Sequence, residues 1–157
     1  MPFLTPVPLH PVDTDRWLLL DDAVYQTRAG ERITLPRGFV SNLASVPQPL
    51  QWIVPVNGRH RAGAILHDLG FVLQDRPRDQ VDLLFLQAME DLGVRATQRW
   101  AMYAAVRVGG WRPWRYNARQ RADDLDAFLA QYNLGPQALS VNDYIDAHFQ
   151  GLAAPRA

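Results

Sequence analysis

The chain has 157 residues, enough for one domain with its own core, and its formal net charge of zero excludes a global field toward nucleic acid or anionic membrane. Hydrophobic residues make up 48% and charged residues 20%, which excludes wholesale disorder. The absence of Cys excludes disulfides, thiolate nucleophiles and Cys-ligated zinc.

Residues 1–15 hold four prolines and read as an extended arm, laid either on a partner or on the chain's own domain. The start, MPFLTPVPLHPV, lacks a basic opening and is not expected to be a signal peptide. No apolar run reaches the length of a membrane span, so a soluble protein is expected. Residues 17–27 are rich in Leu, Val and Tyr and read as strand. Gly30 suits a turn, and residues 32–35 alternate as a returning strand would, giving a hairpin or small meander. Residues 38–40 continue it until Pro47 and Pro49 stop any strand.

From residue 59 the pattern turns helical. A first helix is expected over 59–73, with Pro77 placed to open a second. The second carries Val81, Leu84, Phe85, Ala88 and Leu92, a stripe at i, i+3, i+4, i+7. A third runs from Thr97 to Gly109-Gly110. WRPWRYN, residues 111–117, reads as irregular, a fourth helix covers 118–131, and a short fifth follows Ser140. The expected class is α+β: a small N-terminal antiparallel sheet or hairpin packed on a C-terminal bundle of about four to five helices. The expected divisions are an arm at 1–15, a core domain at 16–116 and a helical extension at 117–157.

The residues that can carry chemistry are His67, Asp68, Asp82, Arg78 and Arg107. His67 and Asp68 are adjacent in an apolar run, so on a helix they point about 100° apart. Arg78 precedes Asp82 by one helical turn and can pair with it. Arg107 shares a face with Trp100 and Tyr103, and if buried it needs a carboxylate from Asp68 or Asp82. One reading is a hydrolase, with His67 and Asp68 as metal ligands or general base and Asp82 behind them. His60 lies two helical turns upstream, too far to share an ion easily. The other reading, which the composition favours, is a satisfied polar cluster tying three helices together and capping the loop at Ser41-Asn42, with Ser45 a turn or cap serine. That reading requires no cofactor. His148 reads as surface. Trp111, Arg112, Trp114, Arg115 and Tyr116 interleave aromatic and cationic groups and suit a protein interface. Asp123, Asp124 and Asp126 cancel the basic run, which makes nucleic acid an unlikely partner.

The runs ITLPRGFVSNLASVPQPL, AILHDLGF, RPRDQVDLLFLQAM and WAMYAAVRVGGW resemble, in that order, the phage and prophage family catalogued as domain of unknown function 1353. The matching positions are Gly38, Phe39, Ala44, Ser45 and Pro47, then His67 and Asp68, then Arg78 and Asp82, then Met102, Tyr103, Val106, Arg107 and Gly110. Ser41-Asn42 stands where the family carries Thr-Asp, so Asn42 lacks that carboxylate's charge and proton acceptor. The resemblance implies a phage-encoded protein. The first expectation is a virion or tail-assembly accessory protein that works through contacts with other particle proteins or with itself, in the host cytoplasm during assembly and then in the virion. The alternatives are a metal-dependent hydrolase directed at cell wall or nucleotides through His67-Asp68, and an inhibitor of a host enzyme or defence system.

Overall fold

The computed structural model describes residues 2–13, 15–42 and 60–149. Ser45, with Ala44, Pro47 and Pro49, lies outside the described residues. The architecture is α+β, with five short strands followed by six helices among the described residues.

The strand expected over 17–27 is two strands. β1 (Leu9–Pro11), β2 (Arg16–Leu19) and β5 (Val40–Asn42) form one antiparallel sheet in the order β1-β2-β5. β3 (Ala23–Gln26) and β4 (Arg32–Leu35) form a separate hairpin. The break falls at Asp21-Asp22, where the Asp22 carboxylate accepts the Arg37 N–H at 2.6 Å and so favours a bend over a continued ladder. Gly30 closes the β3–β4 turn with φ of 88°, donating its N–H to Thr27 O. The proline-rich arm lies on its own domain: Phe3 bridges to Tyr25, and Leu4 N–H donates to Val24 O.

The helices are α1 (Arg61–Leu73), α2 (Arg78–Asp91), α3 (Ala96–Gly109), α4 (Trp111–Asp123), α5 (Leu125–Ala130) and α6 (Val141–Phe149). α1 is the central element, buried at Ile65, Leu66, His67, Asp68, Leu69, Phe71 and Val72 and therefore covered on nearly every side. One side meets Leu19, Tyr25, Leu35 and Phe39 of the strands and turns. Another meets α2, and glycines set the distance: a Cβ on Gly70 would lie 2.5 Å from Val81 Cγ1, and one on Gly63 would touch Ala88, Met89 and Phe85. Phe85, Leu86 and Met89 of α2 form a second apolar cluster with Val94 and Met102, while Leu18, Val40, Val141 and Tyr144 form a third under α6.

WRPWRYN is helical, which corrects the irregular segment expected there. Gly110 keeps helical angles (φ −72°, ψ −13°), and Pro113 falls in the first turn of α4, where its missing N–H costs little. α4 runs unbroken through residues 116 and 117, and buried Asn117 donates Nδ2 to Phe71 O at 3.0 Å. Ser140 and Asp143 bond each other at the start of α6 as an N-terminal cap.

Candidate functional site

Two polar positions on α1 face two different partners. His67 places Nε2 2.7 Å from Asp82 Oδ1, and its ring lies between Phe71 and Phe85, with centroids at 4.4 and 4.9 Å. Asp68 points toward the sheet, where the Ser41 hydroxyl donates to its Oδ2. β2 and β5 pair Trp17 with Ser41, and this register aims Ser41 at α1.

Asp82 is fully buried, and its Oδ2 accepts Arg107 NH1 at 2.9 Å and Arg78 NH1 at 3.3 Å. Arg78 NH1 also reaches the carbonyls of Val106 and Arg107 at 3.2 Å each. A cation there completes the unpaired C-terminal carbonyls of α3 and suits the negative end of its dipole. Asp82 thus joins α1, α2 and α3 through one carboxylate. A carboxylate held by two guanidiniums only accepts, so the His67 imidazole donates through Nε2. The Nε2 proton is thereby committed to Asp82.

Burial pushes the Asp68 carboxyl up to about 7, and the Ser41 hydroxyl opposes the shift without cancelling it. Asp68 therefore exchanges a proton near neutrality. A cleft of about 260 Å³ opens over both groups. Asn42, His67, Asp68, Phe71 and Tyr132 line it, together with the α3–α4 junction. Arg107 is held on Asp82 and does not line the cleft.

The other sequence candidates fall into distinct places. Asn42 is exposed at the cleft rim, and Ser41 beside it holds Asp68. Tyr103 packs against Trp100 and the second apolar cluster. Trp111, Arg112, Arg115 and Tyr116 are exposed, whereas Trp114 is half-buried with its ring edge-on to Phe71 at 5.0 Å. His148 stacks on Tyr144. Asp82 is occupied by three donors, and His67 and Asp68 diverge. Among the described residues no three His, Cys, Asp or Glu side chains are grouped to hold a metal ion.

Sequence reasoning missed Tyr132. Val40 N–H of β5 donates to its carbonyl, and the neighbouring Asn133 clamps the segment: its Nδ2 donates to Gly38 O and Leu139 O, and its Oδ1 accepts Leu139 N–H. Asn133 adopts φ of 53°, a left-handed turn that Asn tolerates. The signal in the sequence is the turn-forming run Asn133-Leu134-Gly135-Pro136, which marks a turn without naming its target.

No curated protein and no solved structure matches the chain. Residues 17–106, which carry Ser41, His67, Asp68, Arg78 and Asp82, match the model of the family described as "Protein of unknown function (DUF1353)". The chain belongs to that family.

Proposed function

We infer that the protein is a hydrolase that works by acid–base chemistry in the cleft, with His67 as base and Asp68 as acid. One observation carries this reading: an imidazole and a carboxyl group from consecutive α1 positions line one cleft, and each is locked by a different partner, Asp82 for His67 and Ser41 for Asp68. A cluster serving stability alone would have been served as well by a closed interior. In the reaction, a water oxygen bonds to the substrate's electrophilic centre and the water proton passes to His67. The bond to the leaving group breaks as the Asp68 carboxyl protonates that group. The proton on His67 then returns to Asp68. The occupied oxygens of Asp82 favour a base oriented by a carboxylate over a metal-bound water.

The test is turnover of cell-wall fragments, other glycans, esters and nucleotides by wild type, Asp68→Asn and His67→Gln. The expected result is wild-type cleavage of one class, lowered about 10²–10⁴-fold in either variant. Absence of wild-type cleavage of every class, or variants as active as wild type, overturns the reading.

A second reading, a phage virion or tail-assembly factor acting through contacts, is supported by the exposed side chains of Trp100, Val108 and Trp111 on α3 and α4. The two readings use different faces of α4 and are compatible in one molecule.

A further inference from the structure

The cleft is assembled from two parts of the chain. Its floor comes from the stretch that matches the family, and the opposite wall, Gly109, Gly110, Pro113, Tyr116, Asn117 and Tyr132, lies beyond residue 106. That wall determines what chemistry fits. Tyr132 lies near both Asp68 and Tyr116: burial first, then these two neighbours, raise its phenol above the ordinary range. Phe71, Tyr116 and Tyr132 therefore present aromatic surface around one carboxyl group.

Beside the His67–Asp68 pair, the described lining offers an anion only neutral donors, the Asn42 amide and the hydroxyls of Tyr116 and Tyr132. Among the described residues no arginine lines the cleft, and the chain has no lysine. Arg78 NH1 comes close to Gly110, yet it is held by Asp82 and two carbonyls. Two main-chain amides at the α3–α4 junction are engaged, Gly110 N–H by Val106 O and Trp114 N–H by Gly110 O. A phosphate placed here would lose its water without gaining a cation. An uncharged ring with hydroxyls fits better: its apolar face covers aromatic surface, and its edge meets the Asn42 amide and the tyrosine hydroxyls. The volume, about 260 Å³, lies below the ~300–1,000 Å³ of sites for drug-sized ligands and suits one ring.

We propose that the cleft binds a single uncharged sugar unit of a glycan, seated against Phe71, Tyr116 and Tyr132, and that the two tyrosines beyond the family match select it. The proposal rests on the acid–base reading and names its substrate class, glycan in preference to nucleotide.

The test is a titration of isotope-labelled protein, followed by amide NMR, with N-acetylglucosamine, with adenosine monophosphate and with inorganic phosphate. The sugar is expected to shift the amides of Asn42, Phe71, Tyr116, Asn117 and Tyr132 at millimolar concentration, and the two anions are expected to leave them in place. Tyr116→Ala, at an exposed position, should melt as wild type and weaken the sugar about tenfold. A sugar that moves none of these amides, an anion that moves them, or an unchanged Kd in Tyr116→Ala overturns the proposal. Sugar binding without glycan cleavage overturns the acid–base reading and leaves this inference standing. Cleavage of a nucleotide does the reverse.

Discussion

His67 and Asp82 meet across 2.7 Å between α1 and α2, and the same carboxylate holds Arg107 from α3. Three helices therefore converge on one fully buried group. Asp82→Ala leaves two guanidiniums without their counter-charge and the His67 Nε2–H without its acceptor. Loss of one partner from a buried ionic cluster costs about 3–5 kcal/mol. Urea denaturation should show a loss of that size, with a smaller one for Asp82→Asn. An Asp82→Ala variant with the wild-type midpoint would remove Asp82 as the tie.

Asp68 gives stability a pH dependence of definite sign. Its ordinary value is 3.8 and its folded value is about 7. Between these values the unfolded chain has released the proton and the folded chain keeps it. Stability falls as pH rises through that window and levels off above it. Asp68→Asn removes the term, so its melting temperature relative to wild type should rise from pH 4 to pH 7 and then stay level. Thermal melts across that range check this, and a constant difference would contradict the buried carboxyl. If Asp68 is the acid, hydrolysis should also decline above pH 7, where the proton it donates is gone.

Gly70 sets the approach of α1 to α2. A methyl group there would lie 2.5 Å from Val81 Cγ1, inside any normal contact. Gly70→Ala should cost about 1–3 kcal/mol by overpacking, despite the better helix propensity of Ala. Gly109, where an added Cβ meets nothing within 4 Å, is the control. Gly109→Ala should be neutral or slightly stabilising in the same denaturation experiment.

Trp111 and Val108 are 46% and 76% exposed, and the fold does not need their side chains. Trp111→Ala and Val108→Asp should each change stability by no more than about 0.5 kcal/mol. If the assembly reading holds, the same changes should abolish co-sedimentation with phage particle proteins. Retained co-sedimentation would remove this face from that role.

Much of the fold was legible because periodicity reports burial. The stripe Val81, Phe85 and Ala88 gave α2 its core face, and the spacing of Arg78 and Asp82 gave their ion pair. The division of residues 17–27 into two strands is marked in sequence only by the polar pair Asp21-Asp22, and the bond that holds the bend there, from Arg37 N–H to the Asp22 side chain, is a contact no local pattern shows. The helical WRPWRYN was hidden for another reason. Its aromatics and proline suggest a loop, and only docking on Phe71 through Trp114 and Asn117 makes helix the better solution.

At the site, sequence brought His67, Asp68, Arg78, Asp82 and Arg107 forward as one set. The structure divides them into an ionic knot around Asp82 and a separate Asp68–Ser41 pair. Adjacency in the chain suggested joint action, yet the helical rotation of 100° per residue sends the two side chains to different neighbours. Tyr132 escaped notice because its place depends on main-chain bonds of Val40 and on the Asn133 side chain, which no local pattern encodes.

The Asn133 clamp has a consequence for the order of events on the ribosome. His67 and Asp68 can find Asp82 and Ser41 once α2 has emerged, from contacts within the first ninety or so residues. The Tyr132 side of the cleft must wait until Leu139 has been synthesised and has closed its loop onto Asn133, which reaches back to Gly38. During that interval the nascent protein carries His67 and Asp68 without the Tyr132 side of the cleft, and that side is the last part of the cleft the growing chain completes.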